Sequence, residues 1–163
     1  MTFRTPLFAV PFGLAALQGW HTHKRLPERM ATHFDFAGNA NGWMSRPAFF
    51  AFYFVLLGFM AATFLGIPAL IRKLPVGLIN LPNRHHWLAP ERREETIADL
   101  AGRVRGLGLV TLLFIVAVMQ LVLTANLGDG RLPARPMWTG LALIVAVTVG
   151  WTIALFRHYR LPP

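Results

Sequence analysis

The chain has 163 residues, of which 16 are Lys or Arg and 7 are Asp or Glu, and 55% of all residues are hydrophobic. A net charge of +9 together with so apolar a composition excludes a soluble domain and a disordered tail. Because the sequence contains no cysteine, a disulfide-stapled secreted fold, thiol chemistry and cysteine-based metal sites are excluded as well.

Four stretches of the sequence contain no Asp, Glu, Lys or Arg. They cover residues 5–23, 47–71, 106–128 and 136–156. A bilayer core about 30 Å thick requires about 20 residues of apolar helix, so each stretch is long enough to span it. The sequence therefore predicts an all-α integral membrane protein, with a single four-helix transmembrane domain over residues 1–163.

The first stretch is the weakest of the four. It contains only six Leu, Val or Phe residues and is interrupted by Pro11, Gly13 and Gln18, whereas residues 106–128 contain 13 Leu, Ile, Val or Phe. We expect residues 5–23 to form an uncleaved helix that leans on its neighbours rather than a signal peptide.

The distribution of basic residues predicts an orientation. Arg4, the inner loop 72–105 and the pair Arg157 and Arg160 account for ten Lys or Arg, and the outer loop 24–46 and residues 129–135 account for six. Since Lys and Arg concentrate in cytoplasmic loops, both termini and the inner loop are predicted to be cytoplasmic. In a membrane protein this bias explains the positive charge, and with no recognition motif present no nucleic-acid binding is predicted.

Several features within the spans predict helix packing. Gly58, Ala62 and Gly66 form a small-residue stripe that permits close helix approach. Gln120 and Thr148 are expected to hydrogen-bond to neighbouring helices. No acidic or basic residue lies inside any span, which argues against ion-coupled transport.

The outer loop alternates polar and aromatic residues at 33–36. In an extended segment His33 and Asp35 would share one face, opposite Phe34 and Phe36. Gly38 and the Asn41-Gly42 pair favour turns. His33 beside Asp35 is interpreted either as an acid/base or external pH sensor, or as part of a hydrogen-bonded lid. The candidate ligand-binding or sensing residues are His33, Asp35, Asn41, Trp43 and Arg46.

His21, His23 and His33 raise the question of a metal site. Helical residues two positions apart point in nearly opposite directions, and no further ligand completes the set. We therefore predict that the chain binds no metal and no cofactor, and we assign no catalytic residue.

The inner loop carries a second helical pattern. Pro90 suits the first turn of a helix and Glu91 favours its positive end, while an apolar stripe lies opposite an Asp99–Arg103 pair. This amphipathic helix is expected to run along the cytoplasmic interface or to continue into the third span. The loop is interpreted as a solvated elbow or as a docking surface, with candidate residues Asn80, Asn83, Trp87, Glu91, Arg92 and Arg93.

Two blocks of residues resemble a known family. The outer block comprises Leu26-Pro27, His33-Phe34-Asp35, Gly38, Asn41-Gly42-Trp43 and Arg46, and the inner block runs Asn80-Leu-Pro-Asn83 and Trp87-Leu-Ala-Pro90-Glu91-Arg92-Arg93-Glu94-Glu95-Thr96. The outer block resembles the bacterial membrane domain of unknown function, family 1648, which also forms the N-terminal part of SdpI-type immunity proteins. The inner block is similar to one common in such proteins. SdpI-type proteins protect a producing cell from its own peptide toxin, and the resemblance implies a multi-pass protein of the bacterial inner membrane.

The residue patterns and the family resemblance together lead to three candidate functions. The first is a non-catalytic, SdpI-like membrane protein that senses, confers immunity or docks a membrane or cytoplasmic partner through its two loops. The second is an accessory subunit of a larger membrane complex, hence a hetero-oligomer. The third is an outer-face enzyme that uses His33 and Asp35.

Overall fold

The structure, a computed structural model, describes residues 5–160 and is mostly helical. A 3-10 turn, Thr5–Phe8, leads into α1, Ala9–Thr22, which is followed by a β-hairpin of β1, Arg29–Phe34, and β2, Ala40–Ser45. The long helix α2, Arg46–Lys73, is followed by a 3-10 turn, Val76–Leu78, and the short helix α3, Arg84–Trp87. Two further long helices, α4, Arg93–Leu127, and α5, Ala134–His158, complete the described chain.

Three of these helices, α2, α4 and α5, are long and apolar enough to cross a membrane. They contain the charge-free stretches 47–71 and 136–156 and all but the last residue of 106–128, so three of the four predicted spans have the expected helices. Helix α1 has 14 residues. At 1.5 Å per residue it measures about 21 Å, which is shorter than a bilayer core of about 30 Å.

Helix α4 unites the amphipathic pattern and the third predicted span in one 35-residue helix. The helix therefore continues into the span instead of turning along the interface, and its length of about 52 Å exceeds the apolar core of a bilayer. The expected helix start was wrong. Pro90 lies in the turn before Arg93, and Glu94 and Glu95 occupy the first turn of α4.

The outer loop folds into an antiparallel hairpin, so the fold is not purely α. Arg29 pairs with Ser45 and Phe34 with Ala40, with an irregularity between Ala31 and His33 that brings His33 opposite Gly42. A Cβ at Gly42 would lie 2.9 Å from the Cβ of His33, which explains why glycine occupies this position.

The main core lies among α1, α2 and α4, and the hairpin closes one end of it. Ala15, Phe49, Tyr53, Leu57 and Leu112 are buried in this core, and the hairpin contributes Met30. A second, smaller cluster at the opposite end of the helices consists of Ile79, Leu81, Leu88, Ile97, Leu100 and Tyr159. Within the described helix 134–158 no side chain is buried, so α5 is peripheral to both clusters.

The polar contacts expected inside the spans differ from those observed. Gln120 is exposed and pairs with Thr124 one turn along α4, and the Thr148 hydroxyl donates to the Ile144 carbonyl of its own helix. The prediction that they join neighbouring helices was wrong, because both face outward.

Gln18 makes the interhelical contacts instead. Its amide donates to the Val116 carbonyl of α4 at 3.1 Å and accepts a hydrogen bond from the Tyr53 hydroxyl of α2 at 2.9 Å. Within the described residues the predicted small-residue stripe makes no close helix contact at its glycines, and the close approach lies elsewhere. A Cβ at Gly58 or Gly66 would meet no atom within 4 Å, whereas Gly108 packs against Phe64.

Candidate functional site

Polar side chains join distant segments at two ends of the molecule. The outer cap consists of residues 23–45 and the loop 128–133, and the inner elbow consists of residues 74–92. The hairpin tip contacts the 128–133 loop, while the elbow contacts the last turn after α5 at the other end of the helices. Each end therefore joins two segments that are distant in sequence.

Asn126, near the end of α4, attaches the outer cap to the helices. Its side-chain oxygen accepts from the backbone N–H of Ala31 and its amide nitrogen donates to the Ala31 carbonyl, both at 2.8 Å. A single amide thus satisfies both backbone groups of a residue in β1 that has low exposure. Unpaired, each of these groups would cost about 1–3 kcal/mol.

Arg46 ties the start of the cap to its end. One guanidinium nitrogen donates to the His23 carbonyl at 2.9 Å and to the Leu26 carbonyl at 2.8 Å, while the Arg46 backbone N–H donates to the Glu28 carbonyl at 2.8 Å. Arg46 was predicted as a ligand-binding candidate. The structure places it as a brace between the end of α1 and the start of α2.

The hairpin tip is fixed by contacts with the 128–133 loop. Gly38 has φ of 83°, and its carbonyl accepts from the Leu132 N–H at 2.9 Å. The guanidinium of Arg131 donates to the Asn39 side-chain oxygen at 2.7 Å. A side chain at Gly38 would collide with the Leu132 carbonyl, so both the positive φ and the close approach require glycine.

Asp35 stabilises the turn between the strands. Its carboxylate accepts from the N–H groups of Ala37 and Asn39 and from the Asn39 side-chain amide, at 2.8 to 3.0 Å. The hydrogen bond from the Asn39 side chain is the main cause that lowers the pKa of Asp35. Within residues 5–160 no hydrogen bond or ion pair joins Asp35 to His33, which lies exposed on the hairpin.

An apolar groove opens between the hairpin tip and the first turns of α5. We call it the outer groove; its volume is about 410 Å³, and Asp35 and Asn41 lie at its polar edge. Phe36 is 87% exposed and stacks on Trp138 with ring centroids 6.0 Å apart. The remaining lining is mainly apolar and includes Phe34, Leu132, Met137 and Leu141. A rigid turn therefore presents an aromatic pair to the surroundings.

The predicted outer-loop residues do not converge on one site. Asp35 and Asn41 border the outer groove. Trp43 instead lies against the guanidinium of Arg29, whose Cζ atom is 5.6 Å from the centroid of the Trp43 ring. His21 and His23 border a separate cavity of about 760 Å³ between α1 and α2. In the part of the chain that the structure describes, no group of three His, Cys, Asp or Glu is arranged to hold a metal ion.

The inner elbow is built around Tyr159, which is 1% exposed. Its carbonyl accepts from the Asn83 amide at 3.0 Å and from the Trp87 indole at 2.8 Å, and its hydroxyl donates to Asp99 at 2.6 Å. Burial, together with this hydrogen bond to a carboxylate, raises the pKa of Tyr159. Asp99 also accepts from Arg103 at 2.6 Å, as the i,i+4 spacing predicts.

The predicted docking residues divide into two groups. Asn83, Trp87 and Arg93 bond within the chain, the last through the Leu74 carbonyl at 2.9 Å. Asn80, Glu91 and Arg92 are exposed, and Arg92 contacts the His86 ring. Of the predicted docking residues, the exposed Asn80, Glu91 and Arg92 are the ones that a partner could contact.

Sequence reasoning missed Asn126, Arg131 and Tyr159. An asparagine near the end of an apolar stretch was the available signal for Asn126, because such an amide requires partners when the chain around it is buried. Their long-range pairings join residues 60 to 95 positions apart and have no local signature.

Residues 7–57 match the model of a family described as Domain of unknown function (DUF1648). This confirms the family that the outer-loop block predicts, and the matched segment contains α1, the hairpin and the first part of α2. No curated protein and no solved structure matches the chain.

Proposed function

We propose that this chain, which carries a DUF1648 segment at residues 7–57, is a non-catalytic, SdpI-like receptor of the bacterial inner membrane that binds an apolar peptide in the outer groove. In this proposal four helices cross the bilayer, both termini are cytoplasmic, and the outer cap faces outside. Helix α1, which alone is about 21 Å long, crosses together with the preceding 3-10 turn Thr5–Phe8, which adds about 8 Å. The observation that carries the proposal is the aromatic pair of Phe36 and Trp138, whose stacked rings lie beside a hydrogen-bonded turn.

The construction of the cap supports recognition rather than catalysis. The carboxylate of Asp35 already accepts three hydrogen bonds from the turn, so it is a poor general base, and its lowered pKa keeps it negatively charged near neutral pH. A groove with an apolar floor and one anionic edge suits an apolar peptide that carries a basic residue.

The shape of the site also favours a ligand that arrives along the membrane. The groove is lined by the first turns of α5, a helix apolar enough to span the bilayer, so a peptide lying at the interface reaches Phe36 and Trp138 without leaving the surface. A membrane-active peptide toxin has this chemistry, in keeping with an immunity role.

The test compares two aromatic residues on the same hairpin. Phe36→Ala removes the groove residue, and Trp43→Ala is the matched control outside the groove. Cells that produce the wild-type chain are challenged with an apolar, singly basic, membrane-active peptide, and binding of the fluorescently labelled peptide to purified protein is measured. Phe36→Ala is expected to reduce both protection and binding about tenfold, because it removes one aromatic anchor that the bound peptide would bury. Trp43→Ala is expected to leave both unchanged. Equal binding by all three proteins would disprove the proposal.

The accessory-subunit alternative rests on a different observation. Within α2 the faces of Gly58 and Gly66 meet no atom of the described chain, and α5 has no buried side chain between residues 134 and 158. If these faces pack against another chain, native mass measurement in mild detergent will show a defined hetero-oligomer, and Gly58→Leu will dissociate it. A monomer under those conditions rules this alternative out.

A further inference from the structure

The inner end of α5 has two different faces. Leu155 packs against the elbow cluster, His158 stacks on Trp87, and the helix is followed by the buried Tyr159. The opposite face is exposed and borders a groove of about 430 Å³. We call it the inner α5 face; it consists of Thr152, Ile153, Phe156, Arg157 and Arg160.

The two arginines on this face are not used by the fold. Within residues 5–160 the side chains of Arg157 and Arg160 form no hydrogen bond or ion pair, in contrast to Arg46, Arg93 and Arg131, which all donate to oxygens of the chain.

Three carbonyls at this helix end do not require them either. The Leu155 carbonyl accepts from the Tyr159 N–H and the Arg157 carbonyl from the Arg160 N–H, while Asn83 and Trp87 donate to the Tyr159 carbonyl. Within the described residues these three carbonyls are thus satisfied by groups other than the guanidinium groups, whose donors stay available for an external anion.

An apolar stripe continues from the arginines into the span. Val149, Ile153 and Arg157 recur at i,i+4 spacing, and the two apolar side chains are each 51% exposed. Phe156, on the same face, is also exposed. On the side of the span, next to the guanidinium groups of Arg157 and Arg160, α5 therefore presents an apolar surface that can contact lipid acyl chains.

We propose that the inner α5 face binds an anionic phospholipid of the inner leaflet. Arg157 and Arg160 hold the headgroup phosphate, which matches the planar fork of a guanidinium, and Ile153 and Phe156 contact the first part of an acyl chain. The inference rests on α5 crossing the membrane, as proposed above, and is independent of the outer groove. The apolar stripe favours a lipid over free phosphate, which would engage the arginines alone.

The experiment measures which lipids remain bound to the full chain extracted in mild detergent. Native mass spectra are recorded with equal amounts of phosphatidylglycerol and phosphatidylcholine. The wild-type chain is expected to retain phosphatidylglycerol about tenfold better, because each basic residue at a membrane surface contributes to the attraction of anionic lipid. Arg157→Gln/Arg160→Gln is expected to abolish that preference.

Lys24→Gln/Arg135→Gln is the matched control, since it removes two exposed positive charges at the other end of the helices. It is expected to retain the preference. If the control lost the phosphatidylglycerol preference to the same extent, net charge alone would explain the effect and the proposal would be overturned. An unchanged preference in the Arg157→Gln/Arg160→Gln variant would overturn it as well. The Arg157→Lys/Arg160→Lys variant, which keeps charge without the fork, is expected to show a reduced preference.

Two further measurements distinguish lipid binding from the binding of a soluble anion and from peptide binding in the outer groove. Inorganic phosphate is added to the phosphatidylglycerol complex; displacement of the lipid at millimolar phosphate would show a soluble-anion site and overturn the lipid assignment. Phe36→Ala, the variant that tests the outer groove, is expected to leave lipid selectivity unchanged. Failure of peptide binding and failure of lipid binding are therefore observed in different variants.

Discussion

The outer cap and the inner elbow hold their helices by different means. Besides the burial of Met30 in the main core, the cap is attached by hydrogen bonds of side chains with backbone groups, between Asn126 and Ala31 and from Arg46 to His23 and Leu26. In the elbow, aromatic packing around Tyr159 accompanies the hydrogen bonds, with the ring centroids of Trp87 and Tyr159 5.4 Å apart.

This difference arises because the two ends differ in how many backbone N–H and C=O groups need hydrogen-bond partners from outside their own secondary structure. A hairpin with only two strands leaves N–H and C=O groups without partners along its edges, and polar side chains must supply them. The elbow contains short helical turns that satisfy more of their own backbone, so it can be attached by burial of aromatic rings. Substitutions of polar residues should therefore disturb the cap most, and truncation of aromatic residues should disturb the elbow most.

Asn126→Ala should have the largest effect. It leaves the N–H and C=O of Ala31 without their partners, and we expect a loss of about 3 kcal/mol in the free energy of unfolding, since each unpaired group costs about 1–3 kcal/mol. Hydrogen exchange at the Ala31 amide should accelerate while the elbow is unchanged. Asn41→Ala, an exposed asparagine of the same hairpin, is the control. Unchanged protection of Ala31 in Asn126→Ala would refute the anchoring role.

Trp87→Ala should destabilise the elbow by about 2 kcal/mol, because it removes one hydrogen bond and the stacking of a half-buried ring. We expect faster proteolysis within residues 74–92 and no change in exchange of the hairpin amides. Trp20→Ala, which removes an indole that is 84% exposed, should leave both ends intact. Loosening of the hairpin in the Trp87 variant would show that the two ends are coupled and would break the comparison.

Tyr159→Phe separates packing from hydrogen bonding in the elbow. The ring remains and only the hydrogen bond to Asp99 is lost, so the expected cost is about 1 kcal/mol. The same substitution in an Asp99→Asn background should cost less, which a double-mutant cycle of unfolding free energies measures. Identical costs in the two backgrounds would mean that the hydroxyl contributes nothing through Asp99.

Much of the helical part of the fold was predictable from the sequence. The charge-free stretches 47–71 and 136–156 lie within α2 and α5, because the absence of charge over such a length has few explanations other than a span. The start of α4 was not predictable from hydropathy. Its first turns are amphipathic and project beyond the apolar segment, and a charge-based boundary therefore placed the span start at residue 106.

The outer cap was only partly predictable. Alternation at residues 33–36 indicated extended structure, and both Gly38 and the Asn41-Gly42 pair indicated turns. The turn does include Gly38, but Asn41-Gly42 lies within β2. The attachment of the cap depends on Asn126, which is 95 residues from Ala31. A single sequence has no periodicity that reports such a contact, because one amide can pair with any available backbone group.

Acid should produce the smallest and most local effect, at the hairpin tip. The pKa of Asp35 is lowered in the folded chain by hydrogen bonds, above all from the Asn39 side chain. A carboxyl whose pKa is lowered by folding stabilises the fold above its unfolded pKa, about 3.9, and loses that contribution as pH falls through the folded value. Hydrogen exchange at the Ala37 and Asn39 amides, corrected for the intrinsic pH dependence of exchange, should therefore accelerate only below about pH 4.

Asp35→Asn tests whether this carboxylate is responsible. The amide can still accept through one oxygen but carries no charge, so the tip of the variant should show no acid-dependent step. Asp129→Asn, in the neighbouring loop, should retain the step seen in the wild-type chain. If the step persists in Asp35→Asn, another group controls the tip, and the polar attachment of the cap would rest on Asn126, Arg46 and Arg131 without the turn carboxylate.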